Sequence, residues 1–363
     1  MHRRTFFRNT VALAALTMAG KGTAESAEAL RITETVPRLE RVSIERRLEL
    51  AANPEGVAPA VLNERVPEFN VIELDNGISA ALPGETIRVV AWNMERGRHW
   101  RQGVTLLREH PALSKADVIL LTEMDIGMAR SGNEHTTRET ALALDMNYAY
   151  AVEYLELPGV GSGNDDSSCK RDAWGYHGNA ILSRFPLHDV RALRFPGIEV
   201  WYGSEQNRLG GRNAVMAAID LGGAPLILVS THLESSLLQS AARLLEGQLI
   251  LRELDTHAAG LPVILGGDYN AMKTESVVRT FRDAGFLIDE CNDLQTPTLQ
   301  FRREGKARLG GPHIDYLIVR GLDVIASDTS PAVVPAIHPP TPDGTLLSDH
   351  AIVTVLVKAG HPS

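Results

Sequence analysis

Short apolar runs in this sequence repeatedly end, or begin, with polar residues that can take part in catalysis. The runs are TIRVVAWNME, ADVILLTEMD, APLILVSTHLE, LPVILGGDYNA, HIDYLIV and LSDHAIVTVLV. The polar residues at their ends are Asn93, Glu95, Glu123, His232, Asp268, Asn270, Asp315, Asp349 and His350. Taken singly, each has an ordinary explanation, such as a solvated strand end or an Asx turn. If the runs are strands of one sheet, these side chains could converge on one cleft.

Such a set of side chains suits the hydrolysis of a phosphate ester. A hard divalent cation such as Mg²⁺ binds one or two protein carboxylates, which a residue like Glu123 can supply. Histidine exchanges a proton near neutral pH, and a carboxylate behind it fixes its tautomer. Asparagine side chains can donate to a phosphate without adding negative charge. We therefore expect metal-assisted hydrolysis, with Mg²⁺ or Mn²⁺ as the cofactor.

The apolar runs and the segments between them predict an α/β fold with a mixed sheet. Runs of this length, flanked by Gly and Pro, indicate strands that are buried on at least one face, and the last strand is expected to begin with Asp349 and His350. Helical patterns occur in RLERVSIERRLELAA, RQGVTLLREHPAL, ESSLLQSAARLLEGQLILRELDTHA and TESVVRTFRDAGF. Residues 150–230 indicate consecutive strands with long Gly-rich loops, so an all-parallel sheet is disfavoured.

The ordered motifs resemble the endonuclease/exonuclease/phosphatase superfamily, with its deoxyribonuclease I-like fold. They are WNME, LLTEMD, GNAILSRFP, STHLE, GGDYNA, HIDYLIV and LSDH, and they extend from about Ile87 to Val357. The resemblance implies a four-layer α/β/β/α sandwich with two packed mixed β-sheets. Tyr269 stands where Phe is common in the family, which we interpret as a packing difference.

The resemblance also implies roles for the residues in these motifs. The implied catalytic residues are Asn93, His232, Asp268, Asn270, Asp315 and His350. The implied metal ligands are Glu123, as the main one, Glu95 and Asp349. In these roles Asn93 contacts the phosphate, His232 stabilises or protonates the leaving group, and Asp268 orients or deprotonates the attacking water. Asp315 is expected to pair with His350.

Two further histidines lie next to the motifs. His177 in WGYHGNAILS could face the cleft, although Gly178 and Asn179 favour a turn. His313 in HIDYLIV could be another site residue, and we favour a solvated loop position for it.

Local clusters of charge, and not the net charge, bear on which substrate the protein could bind. The formal net charge is -9, so the whole protein does not attract nucleic acid or anionic lipid. Basic residues cluster in loops beside the motifs, and they would form a basic mouth if these loops rim one cleft. They are Arg96, Arg98, Arg101, Arg208, Arg212, Arg302, Arg303, Lys306 and Arg308. We take Arg98 and Arg212 as candidate substrate-binding residues.

Three functions are compatible with the sequence. The favoured one is an exported, nuclease-like phosphodiesterase that acts as a monomer on a phosphoester substrate, with nucleic acid as one candidate. The second is a phospholipid or inositol phosphate head-group hydrolase, for which an exposed apolar loop near the cleft would be expected. The third is a non-catalytic binding protein on the same fold, which would be expected to have lost part of the catalytic set.

The amino-terminal region predicts export. Residues 1–29 have the layout of a signal peptide, and the paired Arg3 and Arg4 resemble a twin-arginine signal, so a periplasmic or secreted protein is expected. No other stretch is long and apolar enough for a transmembrane helix. Residues 30–84 are interpreted as a partly helical leader, 85–358 as the catalytic domain and 359–363 as a tail. Cys169 and Cys291 could form a disulfide if the fold brings them together.

Overall fold

The structure, a computed structural model, describes most of the chain after residue 27. The described residues are 28–78, 84, 86–158, 171–197, 201–204, 206–221, 223–236, 239–303, 306–308, 310–325, 336–337 and 346–359. Residues 1–27 of the predicted signal peptide and Cys169 lie outside this set. Within it, Cys291 is a buried free thiol, and no helix is long and apolar enough to cross a membrane.

The strands are numbered in chain order. They are β1 Leu30–Ile32, β2 Thr35–Val36, β3 Ile72–Asp75, β4 Thr86–Asn93, β5 Val118–Ile126, β6 Asn147–Glu156, β7 Tyr176–Ser183, β8 His188–Arg194, β9 Arg208–Gly210, β10 Asn213–Leu221, β11 Ala224–His232, β12 Val263–Asp268, β13 Phe301–Arg303, β14 Lys306–Arg308, β15 Asp315–Arg320, β16 Leu322–Val324 and β17 Val353–Ala359.

Most of these strands belong to two mixed sheets. The six-stranded sheet has the order β1-β8-β10-β11-β12-β15. The nine-stranded sheet has the order β16-β17-β4-β5-β7-β6-β3-β2, and β9 pairs with β6. Three pairs are parallel, β11 with β12, β4 with β5 and β2 with β3, and the other described pairs in the two sheets are antiparallel. β13 and β14 form a separate hairpin.

Helices cover the outer faces of both sheets. They are α1 Ile44–Ala52, α2 Pro59–Asn63, α3 Trp100–Glu109, α4 Thr136–Ala143, α5 Ser240–His257 and α6 Ser276–Asp283. The first four belong to one buried cluster with the outer face of the nine-stranded sheet. α5 and α6 belong to another with the outer face of the six-stranded sheet. The predicted α/β/β/α sandwich with two packed mixed sheets is therefore confirmed.

Alternation along the central strands explains this layering. In β4, Val89 and Ala91 contribute to the buried cluster between the sheets, whereas Val90 and Trp92 contribute to the cluster under the helices. Successive side chains of a strand point to opposite faces, and both faces are buried here. The strand therefore needs a nearly uninterrupted apolar sequence, which is the pattern that identified it.

The segment interpreted as a leader contributes strands to both sheets. β1 pairs with β8 at the edge of the six-stranded sheet, and β3 pairs with β6 in the nine-stranded sheet. The helix expected over residues 38–52 is shorter, because α1 begins only at Ile44. Ser43 caps this helix by accepting a hydrogen bond from Arg46 N at 3.2 Å.

The expectation that the last strand begins with Asp349 and His350 is wrong. β17 begins at Val353, and both residues lie in the connection before it. Ser348 Oγ donates to the carbonyl of Asn93 at 2.6 Å and accepts from His350 N at 3.0 Å. Ser348 therefore ties the triplet Ser348, Asp349 and His350 to the end of β4. The side chains of the triplet take directions that differ from those in a continuous strand.

Candidate active site

The predicted catalytic residues meet because the strands that carry them end at one edge of the sandwich. β11 and β12 are parallel neighbours, and His232 is the register partner of Asp268. Asp268 lies opposite Asp315, the first residue of the antiparallel strand β15. Asn93 ends β4 in the other sheet, and its side chain reaches Asp268. Side chains from both sheets therefore form one cluster.

Asp268 is the centre of this cluster. Its Oδ2 atom accepts a hydrogen bond from Asn93 Nδ2 at 3.1 Å, and it lies 3.5 Å from His232 Nε2 and 3.7 Å from His350 Nε2. Its Oδ1 atom accepts from Asn270 N at 2.8 Å. Burial and the charge of Asp315 raise the pKa of Asp268, while the two histidines oppose that rise. One carboxylate oxygen is thus shared by three polar side chains.

His350 and Asp315 form a buried pair beside Asp268. His350 Nδ1 lies 2.9 Å from Asp315 Oδ2 and 3.1 Å from Oδ1. Burial disfavours the charged imidazolium, but the negative charges of Asp315 and Asp268 outweigh it and raise the pKa of His350 well above its usual value. Thr298 Oγ1 accepts from Asp315 N at 3.0 Å and holds the start of β15. The geometry leaves Nε2 of His350 directed towards Asp268.

Several site residues have a strained backbone. Glu123 has φ of 58°, and it lies in an irregularity of β5 between Leu121 and Met124. Glu95 and Asn270 have φ of 46° and 48°. Non-glycine residues rarely adopt this left-handed conformation, because it costs free energy. It persists at sites where an irregularity in a strand must turn a side chain in a particular direction. The irregularity therefore accounts for the side-chain direction of Glu123 at the end of an otherwise apolar strand.

Glu123 is the carboxylate that best fits a bound cation. In the described part of the chain its one ionic contact is His232 Nε2, at 4.0 Å, and its side chain is 22% exposed. Burial raises the pKa of Glu123, but the electrostatic influence of His177, His232 and Arg96 outweighs burial and holds the pKa well below its usual range. An ionised carboxylate with few internal donors suits a hard divalent cation.

A second group also offers potential ligand atoms. Asp268, Asp315 and His350 each place one such atom within 4.8 Å of the others. Both oxygens of Asp315 already lie within hydrogen-bonding distance of His350 Nδ1. This group is better explained as a hydrogen-bonded network, so Glu123 remains the preferred cation ligand.

Glu95 and Asp349, the other two predicted metal ligands, are linked to each other. Glu95 Oε2 accepts a hydrogen bond from Asp349 N at 3.0 Å, and Asn93 Oδ1 accepts from Glu95 N at 3.0 Å. These bonds tie the end of β4 to the connection that carries His350. Glu95 thus positions this connection, in addition to any contact with a metal.

The two predicted substrate-binding arginines differ in their surroundings. Arg98 follows the helical turn Glu95–Gly97 and is half-buried. Arg212 is only 5% exposed, and its Nη1 donates to Glu153 Oε1 at 2.6 Å. Arg212 therefore lies beneath the site and not at a basic mouth, because the buried Glu153 holds its guanidinium inside the protein.

Two histidines are placed differently from the sequence interpretation. His177 lies in β7, not in a turn, and its Nδ1 is 2.9 Å from Asp125 Oδ1. His313 is 9% exposed, so it is not a solvated loop residue. Its Nδ1 lies 2.9 Å from the carbonyl of Thr296, and its ring packs against Tyr316 with centroids 4.9 Å apart.

Sequence reasoning missed several supporting residues. Glu153 lies below His232, and Asp125 bonds both His177 and Arg130. The one signal for Glu153 was a carboxylate inside the largely apolar strand NYAYAVEYLE. Such a residue needs a buried cationic partner, but the sequence does not indicate that Arg212, in the connection between β9 and β10, is that partner.

Solved structures are similar to this chain at low sequence identity. An endonuclease/exonuclease/phosphatase from Beutenbergia cavernae matches with a TM-score of 0.53 and 17% identity, covering 76% of this chain and 72% of its own. One from Bacteroides vulgatus has a TM-score of 0.50 and 15% identity, covering 76% and 100%. The human Nocturnin catalytic domain with bound sulfate has a TM-score of 0.49 and 18% identity, covering 80% and 98%. Comparison with curated proteins gave no match.

The sequence itself matches a family over most of its length. Residues 90–350 match the Endonuclease/Exonuclease/phosphatase family, and the matched range contains every residue of the cluster around Asp268. This range is more than half of the chain. The chain therefore belongs to the Endonuclease/Exonuclease/phosphatase family.

Proposed function

We propose that this chain is an exported, divalent-metal-dependent phosphodiesterase in which water attacks the phosphorus atom in line. Family membership makes it a phosphoric ester hydrolase of a divalent-metal-dependent family. The observation that carries the finer proposal is the arrangement around Asp268 Oδ2, which lies within 3.7 Å of a nitrogen from each of His232 and His350. A base between two potential donors to a phosphate suits in-line hydrolysis.

Asp268 and His350 have complementary roles in this proposal. Burial raises the pKa of Asp268, which makes its carboxylate a stronger base for orienting and deprotonating water. Asp315 holds His350 through Nδ1 and favours the imidazolium, so Nε2–H presents positive charge to the phosphate oxygens. A Mg²⁺ or Mn²⁺ ion held by Glu123, with Glu95 and Asp349 as further candidate ligands, would offset phosphate charge.

The asparagines support the two sides of the cleft. Asn93 donates to Asp268 Oδ2 at 3.1 Å and offers an amide to the phosphate without adding charge. Asn270 Nδ2 donates to the carbonyl of Leu233 at 3.1 Å. Asn270 therefore joins the segments that follow β11 and β12, and we assign it the positioning of Asp268 and His232.

Nucleic acid is the substrate class that we favour. Arg96 and Arg98 directly follow the catalytic strand β4, and the β13 and β14 hairpin contains four basic residues by sequence, Arg302, Arg303, Lys306 and Arg308. The hairpin is joined to the site, because Gln300 N donates to the carbonyl of Asp349 at 2.7 Å. A basic arm beside a catalytic connection suits a polyanion whose phosphates extend past the cleft.

Export is part of the same proposal. Residues 1–29 contain Arg3 and Arg4, an apolar stretch and small residues around Ala27, which support a twin-arginine signal. Replacing both arginines with lysine in a full-length chain should retain the protein in the cytoplasm of a bacterial host. Equal periplasmic fractions of the two proteins would contradict the twin-arginine assignment.

The proposed activity can be tested with a substrate panel. The purified protein without residues 1–29 is supplied with Mg²⁺ or Mn²⁺ and offered DNA, RNA, sphingomyelin, inositol phosphates and a bis-aryl phosphodiester. We expect turnover of DNA or RNA that falls steeply with added salt and disappears with chelator. Preferred turnover of the lipid or of inositol phosphates would contradict the nuclease assignment and support the head-group alternative.

A matched control separates catalysis from folding. His350→Gln is compared with His188→Gln, because His188 is a half-buried histidine at the opposite end of β8 from Arg194, near the far edge of the sheet. We expect His350→Gln to remove most turnover and His188→Gln to keep it. Absence of hydrolysis with every substrate, in a folded protein with metal, would support the binding-protein alternative.

A further inference from the structure

Arg212 makes an unusual contact with His232. Arg212 Nη1 lies 2.8 Å from His232 Nδ1. The same guanidinium donates to Glu153 Oε1 at 2.6 Å and to Ser235 Oγ at 2.8 Å. Arg212 and Glu153 are 5% and 0% exposed, so water does not compete strongly for these groups. The contact therefore belongs to a buried network under the catalytic cleft.

The chemistry of the guanidinium determines which tautomer this contact allows. Arginine has only N–H donors and no lone pair that can accept a hydrogen bond. His232 Nδ1 must then be the acceptor, because two N–H groups facing each other at 2.8 Å would repel. The imidazole hydrogen therefore resides on Nε2, the nitrogen that lies 3.5 Å from Asp268 Oδ2.

Glu153 does not offer a competing partner of equal quality. Its Oε2 lies 3.5 Å from His232 Nδ1, beyond the usual range of a strong hydrogen bond. Its Oε1, by contrast, is in close contact with Arg212. Glu153 thus balances the buried charge of Arg212 and fixes the orientation of its guanidinium.

We propose that Arg212, held by Glu153, is a positioning residue that locks the His232 ring with Nε2–H directed into the cleft. His232 and His350 are then held in opposite ways. The Arg212 guanidinium donates to Nδ1 of His232, whereas the Asp315 carboxylate accepts from Nδ1 of His350. The inference rests on the proposed function only for the use of this N–H, which would donate to an oxygen of the phosphoester.

The tautomer can be measured without any substrate. Two-bond ¹H–¹⁵N correlation spectra of the metal-free protein, with His232 assigned through His232→Gln, distinguish Nε2–H from Nδ1–H. We expect the Nε2–H pattern in the unmodified protein. We expect loss of that pattern in Arg212→Met and its partial recovery in Arg212→Lys, which restores a cationic donor.

Two controls separate this role from a general structural one. The His135 ring, whose Nδ1 accepts from Arg138 N, should keep its own pattern in every variant if the fold is intact. Arg47→Met removes another buried guanidinium, one that donates to the carbonyl of Asp172 at 2.7 Å and makes no described contact with His232, Glu153 or Arg212. It should leave the His232 pattern unchanged.

Particular results would overturn the inference. It fails if His232 carries its hydrogen on Nδ1 in the unmodified protein. It also fails if the pattern persists in Arg212→Met while His135 reports an intact fold. Absence of phosphoester hydrolysis with the Nε2–H pattern present would contradict the proposed function and leave the positioning role standing.

Discussion

In two buried histidine–carboxylate pairs of this protein, the pKa of the histidine is shifted in opposite directions. In the active site His350 pairs with Asp315 at 2.9 Å, and on the other side of the nine-stranded sheet His135 pairs with Glu73 at 3.0 Å. The two histidine residues, His350 and His135, are 6% and 4% exposed. Despite this similarity, the pKa of His350 is raised and that of His135 is lowered. Burial and one carboxylate therefore do not determine the behaviour of a histidine.

The surroundings of the second ring nitrogen contribute to the difference. His350 Nε2 faces another carboxylate, Asp268, at 3.7 Å, so its protonated form gains two anionic neighbours. His135 Nδ1 accepts from Arg138 N at 3.2 Å at the start of α4, where the helix dipole also disfavours positive charge. Burial is the largest cause of the lowered pKa of His135, and the charges of Arg138 and Arg38 lower it further. His350, the proposed catalytic histidine, thus differs from His135 in what its second nitrogen contacts.

The largest effect is expected from Asp268→Asn. The amide keeps the shape of the side chain but removes the base and one anionic neighbour of His350. We expect turnover to fall by about 10³-fold or more, with little change in the melting temperature. A steady-state assay at saturating Mg²⁺ measures it, and turnover near that of the unmodified protein would remove Asp268 from the mechanism.

Glu123→Gln tests the metal side of the same cluster. The neutral amide is a poorer ligand for a hard cation, so the metal concentration for half-maximal turnover should rise by about tenfold or more. Metal titrations of activity for the variant and the unmodified protein give this ratio. An unchanged titration curve would exclude Glu123 as the main ligand.

The paired variants His350→Gln and His135→Gln test the comparison directly. We expect His350→Gln to lower turnover by about 10²- to 10⁴-fold. His135→Gln removes a helix cap and a partner of the buried Glu73, so it should lower the free energy of unfolding by about 1–3 kcal/mol while turnover stays within a few-fold. The contrary result is a large loss of turnover in His135→Gln together with near-normal turnover and a loss of stability in His350→Gln. It would show that His135 is the catalytic histidine and His350 the structural one.

The pH dependence of stability gives a smaller effect. The folded pKa of His135 lies below its ordinary value of 6.5. Its contribution is therefore complete above the unfolded pKa and is lost as the pH falls towards the folded pKa, with a slope of at most about 1.4 kcal/mol per pH unit. Denaturant unfolding should show this loss to be weaker in His135→Gln. Parallel curves for the two proteins would contradict the assignment.

The fold was predictable where the sequence pattern is local. Apolar runs such as LPVILGGDYNA identified strands because both faces of the central strands are buried, and the polar residues at their ends identified the cleft. The start of β17 was missed because a hydrogen bond from Ser348 to the end of β4 directs the chain across the cleft before pairing begins. Contacts between distant segments are not visible in a local pattern.

The electrostatic roles in the site were less predictable. Arg212 looked like a substrate-binding residue in a Gly-rich loop, but Glu153 in β6 holds it inside the protein. His135 gave no signal as a partner of Glu73, 62 positions away in the sequence. These roles depend on which strands become neighbours, and composition does not fix that order.

The most direct test of the account is phosphodiester hydrolysis by His350→Gln and His135→Gln measured side by side, with the fold of each checked by its unfolding curve. The account predicts that the first is folded and nearly inactive, whereas the second is active and less stable. Comparable turnover in both variants would contradict the claim that the contacts of the second ring nitrogen distinguish the catalytic histidine from the structural one.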